Sequence, residues 1–406
     1  MAEVGNRLFV QEVDQDELTT LLLAHFGSAS QDPNGKSVTY GRQGQRPAIA
    51  VTYQDNSIVS VDALEGATEQ DIEELAKKIR EEVIAPENTV IAKRSFFCLY
   101  PVHGWFRFGA RFQILPPPSF QRPSFGLMKH EPFLIEFSVR DTSNFQLRLQ
   151  REQKVSQELE LVLSALLEGN IRGLSRYMQS SWVMVPHQPN VPATCEYLQH
   201  GFWFDGIQQV STDFSSVNGL EKMVEVDDDK YYTRYGWEIG RGLQVPRNIE
   251  ILLSGYFALA AEQKRRFLRA AFWFQYSQKV FDESKSAALM ALVQSIEALI
   301  PPGANEGRCN ACGKEKGPSA TMKFVSFLRE HFGIAHDKKE IIKGWRDLFY
   351  MRSKLAHGGA VLLDDEDISV LSIVPDSARE QDQLRYAHRL TRLVLRNWLL
   401  ATALGV

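Results

Sequence analysis

The sequence predicts an α+β protein: a mixed α/β N-terminal region followed by an all-α helical bundle. Three observations carry that prediction. Before residue 140, several short apolar runs have a period of two; after Pro246, apolar residues recur almost everywhere at steps of three and four. A proline-rich stretch, PPPSFQRPSF at 116–125, and Pro246 itself punctuate the chain. Charge divides as well: residues 241–406 hold 24 Lys+Arg against 18 Asp+Glu, and residues 1–240 hold 22 against 32. A chain of 406 residues is long for one domain. The expected division is an α+β domain over 1–170, suited to a sensor or specificity role. An irregular β-containing connection over 171–245 follows, and then an all-α domain over 246–406.

Within the first region, DQDELTTLLLAHF (14–26) and EQDIEELAKKIREEVI (69–84) have helical periodicity, and Thr68 with Asp71 forms a capping box for the second. PAIAVTY and SIVSVDAL read as short strands. In WFRFGARFQIL, residues Phe106, Phe108, Ala110, Phe112 and Ile114 alternate with Arg107, Gly109, Arg111 and Gln113, which predicts one half-buried strand with its polar side in solvent. PFLIEFSV is a further strand, and a helix spans roughly 150–168. Beyond Pro246, helices are expected at roughly 247–261, 262–281, 284–300, 319–331, 337–357 and 377–403. Ser377 and Glu380 cap the last of these, and the glycines at 358–359 end the one before it.

Composition excludes several classes. Apolar content of 44% and charged content of 24% suit a globular chain rather than a disordered one. No apolar run reaches the roughly 20 residues of a bilayer crossing, so no membrane partner is expected. The start, MAEVGNRLFVQEVDQDE, lacks a basic stretch leading into an apolar one, and four cysteines in so long a chain do not make a disulfide framework. A cytoplasmic setting is the expectation. Asp227, Asp228 and Asp229 read as a solvated acidic turn, and Cys98 and Cys195 as core residues.

The segment YMRSKLAHGGA, residues 350–360, concentrates the chemistry. Ile341, Trp345, Leu348, Arg352 and Leu355 follow helical steps, placing Arg352 in an apolar stripe where its charge needs a partner. His357 lies about 140° further round at roughly 100° per residue, in the final turn, where free carbonyls favour a cation. Histidine can move a proton to or from a ribose or leaving oxygen while arginine neutralises charge on a phosphate. The plainer alternative pairs Arg352 with a core carboxylate and leaves His357 as a helix cap. Facing a second copy of the chain is a further way to partner Arg352.

RSKLAHG in a late helix of an all-α domain resembles the signature of HEPN-superfamily ribonucleases, and the following glycine resembles the ApeA-like version. The upstream helix SKSAALMALVQSIEALI, with Glu297 inside an apolar face, resembles that group's acidic helix. The resemblance covers roughly residues 250–406. It implies a helical bundle that dimerises into a composite, metal-independent endoribonuclease site, acting on RNA as a toxin or antiphage defence effector. His357 would then be the acid/base, Arg352 the phosphate stabiliser, and Ser353 and Glu297 further members of the site. Some relatives only bind or scaffold, so a non-catalytic dimerisation or RNA-binding protein is the alternative.

Two further features concern metal and RNA. Cys309 and Cys312 have zinc-knuckle spacing, and His331 with His336 would complete a structural Cys₂His₂ site; two reduced cysteines in a glycine-rich turn are the alternative. Arg385, Arg389, Arg392 and Arg396 step by four, three and four, as a phosphate-tracking stripe would, or as a solvated face with local pairs. Lys264, Arg265, Arg266 and Arg269 cluster in the same manner.

Overall fold

Asp14 opens the first helix of the computed structural model, its carboxylate accepting from the N–H groups of Asp16 and Glu17. The structure describes residues 14–54, 57–84, 88–117, 131–173, 181–185, 194–198, 209–234, 241–301, 318–332, 339–366 and 375–404. The class is α+β, as predicted. The chain divides into two compact units, each assembled from separated segments: residues 1–93, 137–156 and 208–215 form the first, and 94–136, 157–207 and 216–406 the second.

In the first unit, α1 (Gln15–Phe26) ends at Gly27, whose φ of 83° is one that favours glycine. A four-stranded antiparallel meander follows: β1 (Ser28–Gln31), β2 (Ser37–Gly41), β3 (Ile49–Gln54) and β4 (Ser57–Ala63). The capping box of Thr68 and Asp71 starts α2 (Glu69–Lys78). The predicted helix to 84 does not stay α-helical, for Ile79–Ile84 is a π-helical turn that buries Ile79 and Val83. Leu18, Leu22, Phe26, Ile49, Val51 and Leu75 form the core of this unit. Glu17, buried within it, is gripped by Arg151 at 2.6 Å and Arg140 at 2.5 Å.

Three elements contribute residues to both units: β5 (Thr89–Cys98), β8 (Glu131–Arg140) and α3 (Phe145–Leu166). The second unit adds β6 (Phe106–Phe108), β7 (Phe112–Leu115) and β9 (Arg172–Gly173), giving a five-stranded sheet in the order β6-β7-β8-β5-β9. The single strand expected over 105–115 is therefore a hairpin, turning at Gly109 with φ 53° and pairing Phe106 with Ile114 and Phe108 with Phe112. The phenylalanine spacing is nearly symmetric about the turn, so one apolar face survives the reversal. Its polar side is not in solvent. Gln113 is fully buried, accepting from Arg107 and donating to Glu136. A platform for RNA on that side is excluded by this burial.

β10 (Ser181–Val185) and β11 (Thr194–Leu198) pair antiparallel, and β12 (Glu225–Val226) pairs parallel with β13 (Val245–Pro246) around α4 (Asp228–Thr233). Then come α5 (Ile249–Ala258), α6 (Ala261–Val280), α7 (Lys285–Leu299), α8 (Ala320–His331), α9 (Lys339–Ala356), α10 (Leu363–Glu366) and α11 (Pro375–Leu404). α7 packs against α6, α9 and α11 and buries Leu289, Leu292, Val293, Ile296 and Leu299. The helices were thus predicted closely, but the division into 1–170, 171–245 and 246–406 was not. Residues 94–136 and 157–207 belong with the C-terminal helices, because long-range bonds join them. Gln275 of α6, for example, donates to Glu160, Ser164 and the carbonyl of Ile171. Ser377 lies within α11, which begins at Pro375, so it is not the cap; Glu380 instead accepts from the N–H of Leu363.

Candidate functional site

α9 turns the predicted stripe inward. Trp345, Leu348 and Leu355 are buried, and the helix packs on α7 and α8 of its own chain. A second copy is therefore not needed to cover the stripe. Arg352 finds its partners on α7, one helical turn apart: its Nη2 donates to Gln294 Oε1 at 3.0 Å and lies 3.0 Å from Glu297 Oε2. The guanidinium also approaches the Phe349 ring at 6.0 Å. Both charged side chains are about a quarter exposed, at 24% and 23%. Burial lifts the Glu297 carboxyl above its ordinary range, with the Arg352 charge working in the opposite sense. Arg352 and Glu297 are thus brought together, as the sequence suggested, while Gln294 carried no signal beyond its place three residues before Glu297.

His357 stands just past the helix end. Its N–H donates to the carbonyl of Ser353 at 3.2 Å, and its side chain is exposed. Gly358, with φ 66°, supplies the left-handed residue that ends the helix. The chain then returns to the start of α7. The N–H of Leu362 donates to Ser286 Oγ, and Asp365 accepts from Ser284 Oγ and from the N–H groups of Lys285 and Ser286. Burial opposes ionisation of Asp365, but these hydrogen bonds outweigh it and hold its carboxyl below the usual range. The segment after His357 is fixed at both ends, one end being the α9 turn and the other the α7 cap. Ser353 is half-buried on α9 between Arg352 and the end of the helix. Arg352 and Glu297 form one cluster, His357 closes the same helix, and no other predicted group joins them.

The arginine stripe on α11 divides. Arg385 and Arg389 are exposed, with Arg385 3.3 Å from Asp382. Arg392 is buried and bound to Glu168 at 3.0 Å, and Arg396 is held by Asp228 at 3.5 Å. The buried pair is internal wiring rather than a surface for phosphates, because α11 rotates those two positions toward α4. Asp228 also accepts from the N–H of Asn248, and Asp227 caps α4, so the acidic turn has structural work as well as solvent. In the α6 cluster, Lys264 pairs with Glu158, and Arg265 and Arg269 with Glu262.

Of the possible zinc ligands, Cys309, Cys312 and His336 lie outside the described residues. His331 ends α8, half-buried against Phe327, with its imidazole held below its ordinary range by burial. Cys98 is a core residue, as read: it is fully buried, donates to the carbonyl of Tyr100, and burial pushes its thiol up to about 12. Among the described residues, no helix is long and apolar enough to cross a membrane. Compared with protein-family models, curated proteins and solved structures, the chain has no match.

Proposed function

We propose that the protein is a HEPN-type endoribonuclease that cleaves RNA through Arg352 and His357, in the manner of a toxin or antiphage effector. The observation that carries this reading is a guanidinium fixed from behind by Gln294 and Glu297, on the same helix whose last turn presents an exposed imidazole. A guanidinium so held is pre-aligned to meet phosphate oxygens without first losing rotamer freedom. The ribose 2′-oxygen attacks its own phosphorus, the bond to the 5′-oxygen breaks, and His357 delivers the proton to that departing oxygen. Arg352 offsets the charge gathering on the phosphate. Ser353 lies between them in sequence and orients the site. Arg385 and Arg389, the exposed half of the α11 stripe, are the residues that would meet RNA outside it. The resemblance implies a homodimer whose two copies of this site act together, and a reaction that needs no metal.

A second reading has its own observation. Glu297 already lies 3.0 Å from Arg352, which suits a guanidinium that serves the packing of α7 on α9. In that case the bundle dimerises or binds RNA without cutting it. Incubation of the protein with total cellular RNA in EDTA separates the two. Cleavage leaving 2′,3′-cyclic phosphate ends, and falling by two to four orders of magnitude in His357→Ala, is the expected result. A folded His357→Ala protein that cuts at the wild-type rate, or cutting that requires a divalent ion, refutes the catalytic reading.

A further inference from the structure

Glu168, just beyond the end of α3, is surrounded by arginines. Arg392 Nη1 lies 3.0 Å from its Oε1, Arg234 Nε lies 3.4 Å from its Oε2, and Arg241 also bonds Oε2. The three guanidiniums are largely buried, with side-chain exposures of 3%, 17% and 9%. One negative charge therefore faces three positive ones. Aromatic rings take part of the excess: Arg392 lies over Tyr231 and Tyr232, Arg234 over Tyr231, and Arg241 over Tyr100. Ring faces attract a cation but do not cancel a unit charge. Arg392 Nη2, buried, makes no hydrogen bond among the described residues.

Glu168, Arg234 and Arg392 line a cavity of about 680 Å³. That volume lies in the range of small-molecule sites. Tyr100, Phe281, Leu292 and Leu384 supply an apolar part of its wall. The other charged groups there do not relieve the excess. Arg172, also in the wall, feels Glu160, Asp282 and Glu283, so its charge is answered locally. His388 adds no further positive charge near neutrality, because burial, reinforced by Arg392, holds its imidazole far below the ordinary range.

We propose that this cavity binds a phosphate monoester on an aromatic or apolar body, the phosphate meeting Arg392 and Arg234 and the body lying among Tyr100, Phe281, Leu292 and Leu384. A phosphate monoester carries close to two negative charges at neutral pH, matching a surplus of two, and its oxygens suit the planar fork of arginine. A carboxylate would leave one positive charge unanswered. Glu168 keeps the three guanidiniums together before the ligand arrives. The site is separate from the proposed ribonuclease residues, since neither Arg352 nor His357 lines it.

Calorimetric titration of the full chain tests this, using adenosine 5′-monophosphate, uridine 5′-monophosphate and phenyl phosphate beside adenosine, uridine and inorganic phosphate. At least one monoester is expected to bind below about 1 mM, with its dephosphorylated counterpart and inorganic phosphate each at least about tenfold weaker. Arg392→Met should weaken that binding by about tenfold or more. Because that variant also strips Glu168 of a partner, Gln278→Trp provides a second test: Gln278 is half-buried in the cavity wall, and the larger side chain fills the space without removing charge. A Gln278→Trp protein that melts normally and no longer binds supports the site. The proposal is overturned if none of the three monoesters binds at about 5 mM, if nucleoside or inorganic phosphate binds equally well, or if Gln278→Trp binds unchanged.

Discussion

Replacing Glu297 by glutamine is expected to leave stability at pH 7 within about 1 kcal/mol of the parent, although it removes half of an ion pair. At 3.0 Å, attraction between unit charges in a medium of effective dielectric 20 is about 5.5 kcal/mol. Both side chains are about a quarter exposed, so solvent screens part of that. Against it stands the cost of taking two charges out of water, which is several kcal/mol per ion. The direction of the Glu297 shift decides between these terms. Its carboxyl sits above the ordinary 4.5 even with Arg352 beside it, so burial outweighs the attraction. The folded protein thus holds the proton more tightly than the unfolded chain does. By linkage, the contribution of Glu297 to stability is greatest below the unfolded value and declines as pH rises through the folded one. Glutamine, a neutral near-isostere, should lack that slope. Urea denaturation of both proteins from about pH 4.5 to 7.5, followed by circular dichroism, measures it. The parent should lose stability relative to Glu297→Gln as pH rises. A loss of 3 kcal/mol or more in the variant at pH 7, or a difference of the opposite slope, would show that attraction outweighs burial and refute the reasoning.

Removing the buried cation in the first unit should be far more costly. Arg151→Met leaves Glu17 with the half-exposed Arg140 and strips donors from the carbonyls of Arg140, Asp141 and Glu82, so a loss of about 3–5 kcal/mol is expected in urea denaturation. A loss under 1 kcal/mol would mean that water replaces the guanidinium there. Protein purified without chelator should carry about one zinc per chain, and Cys309→Ser should lower both zinc content and melting temperature. Metal analysis that finds no zinc ends the assignment to Cys309, Cys312, His331 and His336.

What the sequence made legible follows the range of the interaction that fixes each feature. The C-terminal helices are set by local periodicity and caps, so α5 to α9 and α11 were readable to within a few residues. β1 and β2 were not, since SASQ and SVTYG are too short and polar to show a period of their own. The β6–β7 hairpin was concealed because its residues mirror about Gly109, and alternation looks the same whether a strand continues or turns back. At the site, the inward stripe placed Arg352 correctly and Glu297 was legible as an acid on an apolar face. The fate of the α11 arginines was not legible, because the charges that claim Arg392 and Arg396 lie far away in the chain at Glu168 and Asp228. A stripe of cations looks alike whether it meets solvent or buried carboxylates.

The bond from Glu168 to Arg392 spans 224 residues, and this has a consequence for synthesis. At roughly 5–20 residues per second, the ribosome takes on the order of 10–45 s to travel from one to the other. During that interval Glu168 can meet Arg234 and Arg241 but not the third guanidinium. Tyr231 and Tyr232 likewise wait for the cation that lies over both. The nascent chain therefore carries an incomplete aromatic and charged nest until α11 emerges. A ribosome halted anywhere in the preceding helices holds a chain whose second unit has no means of closing.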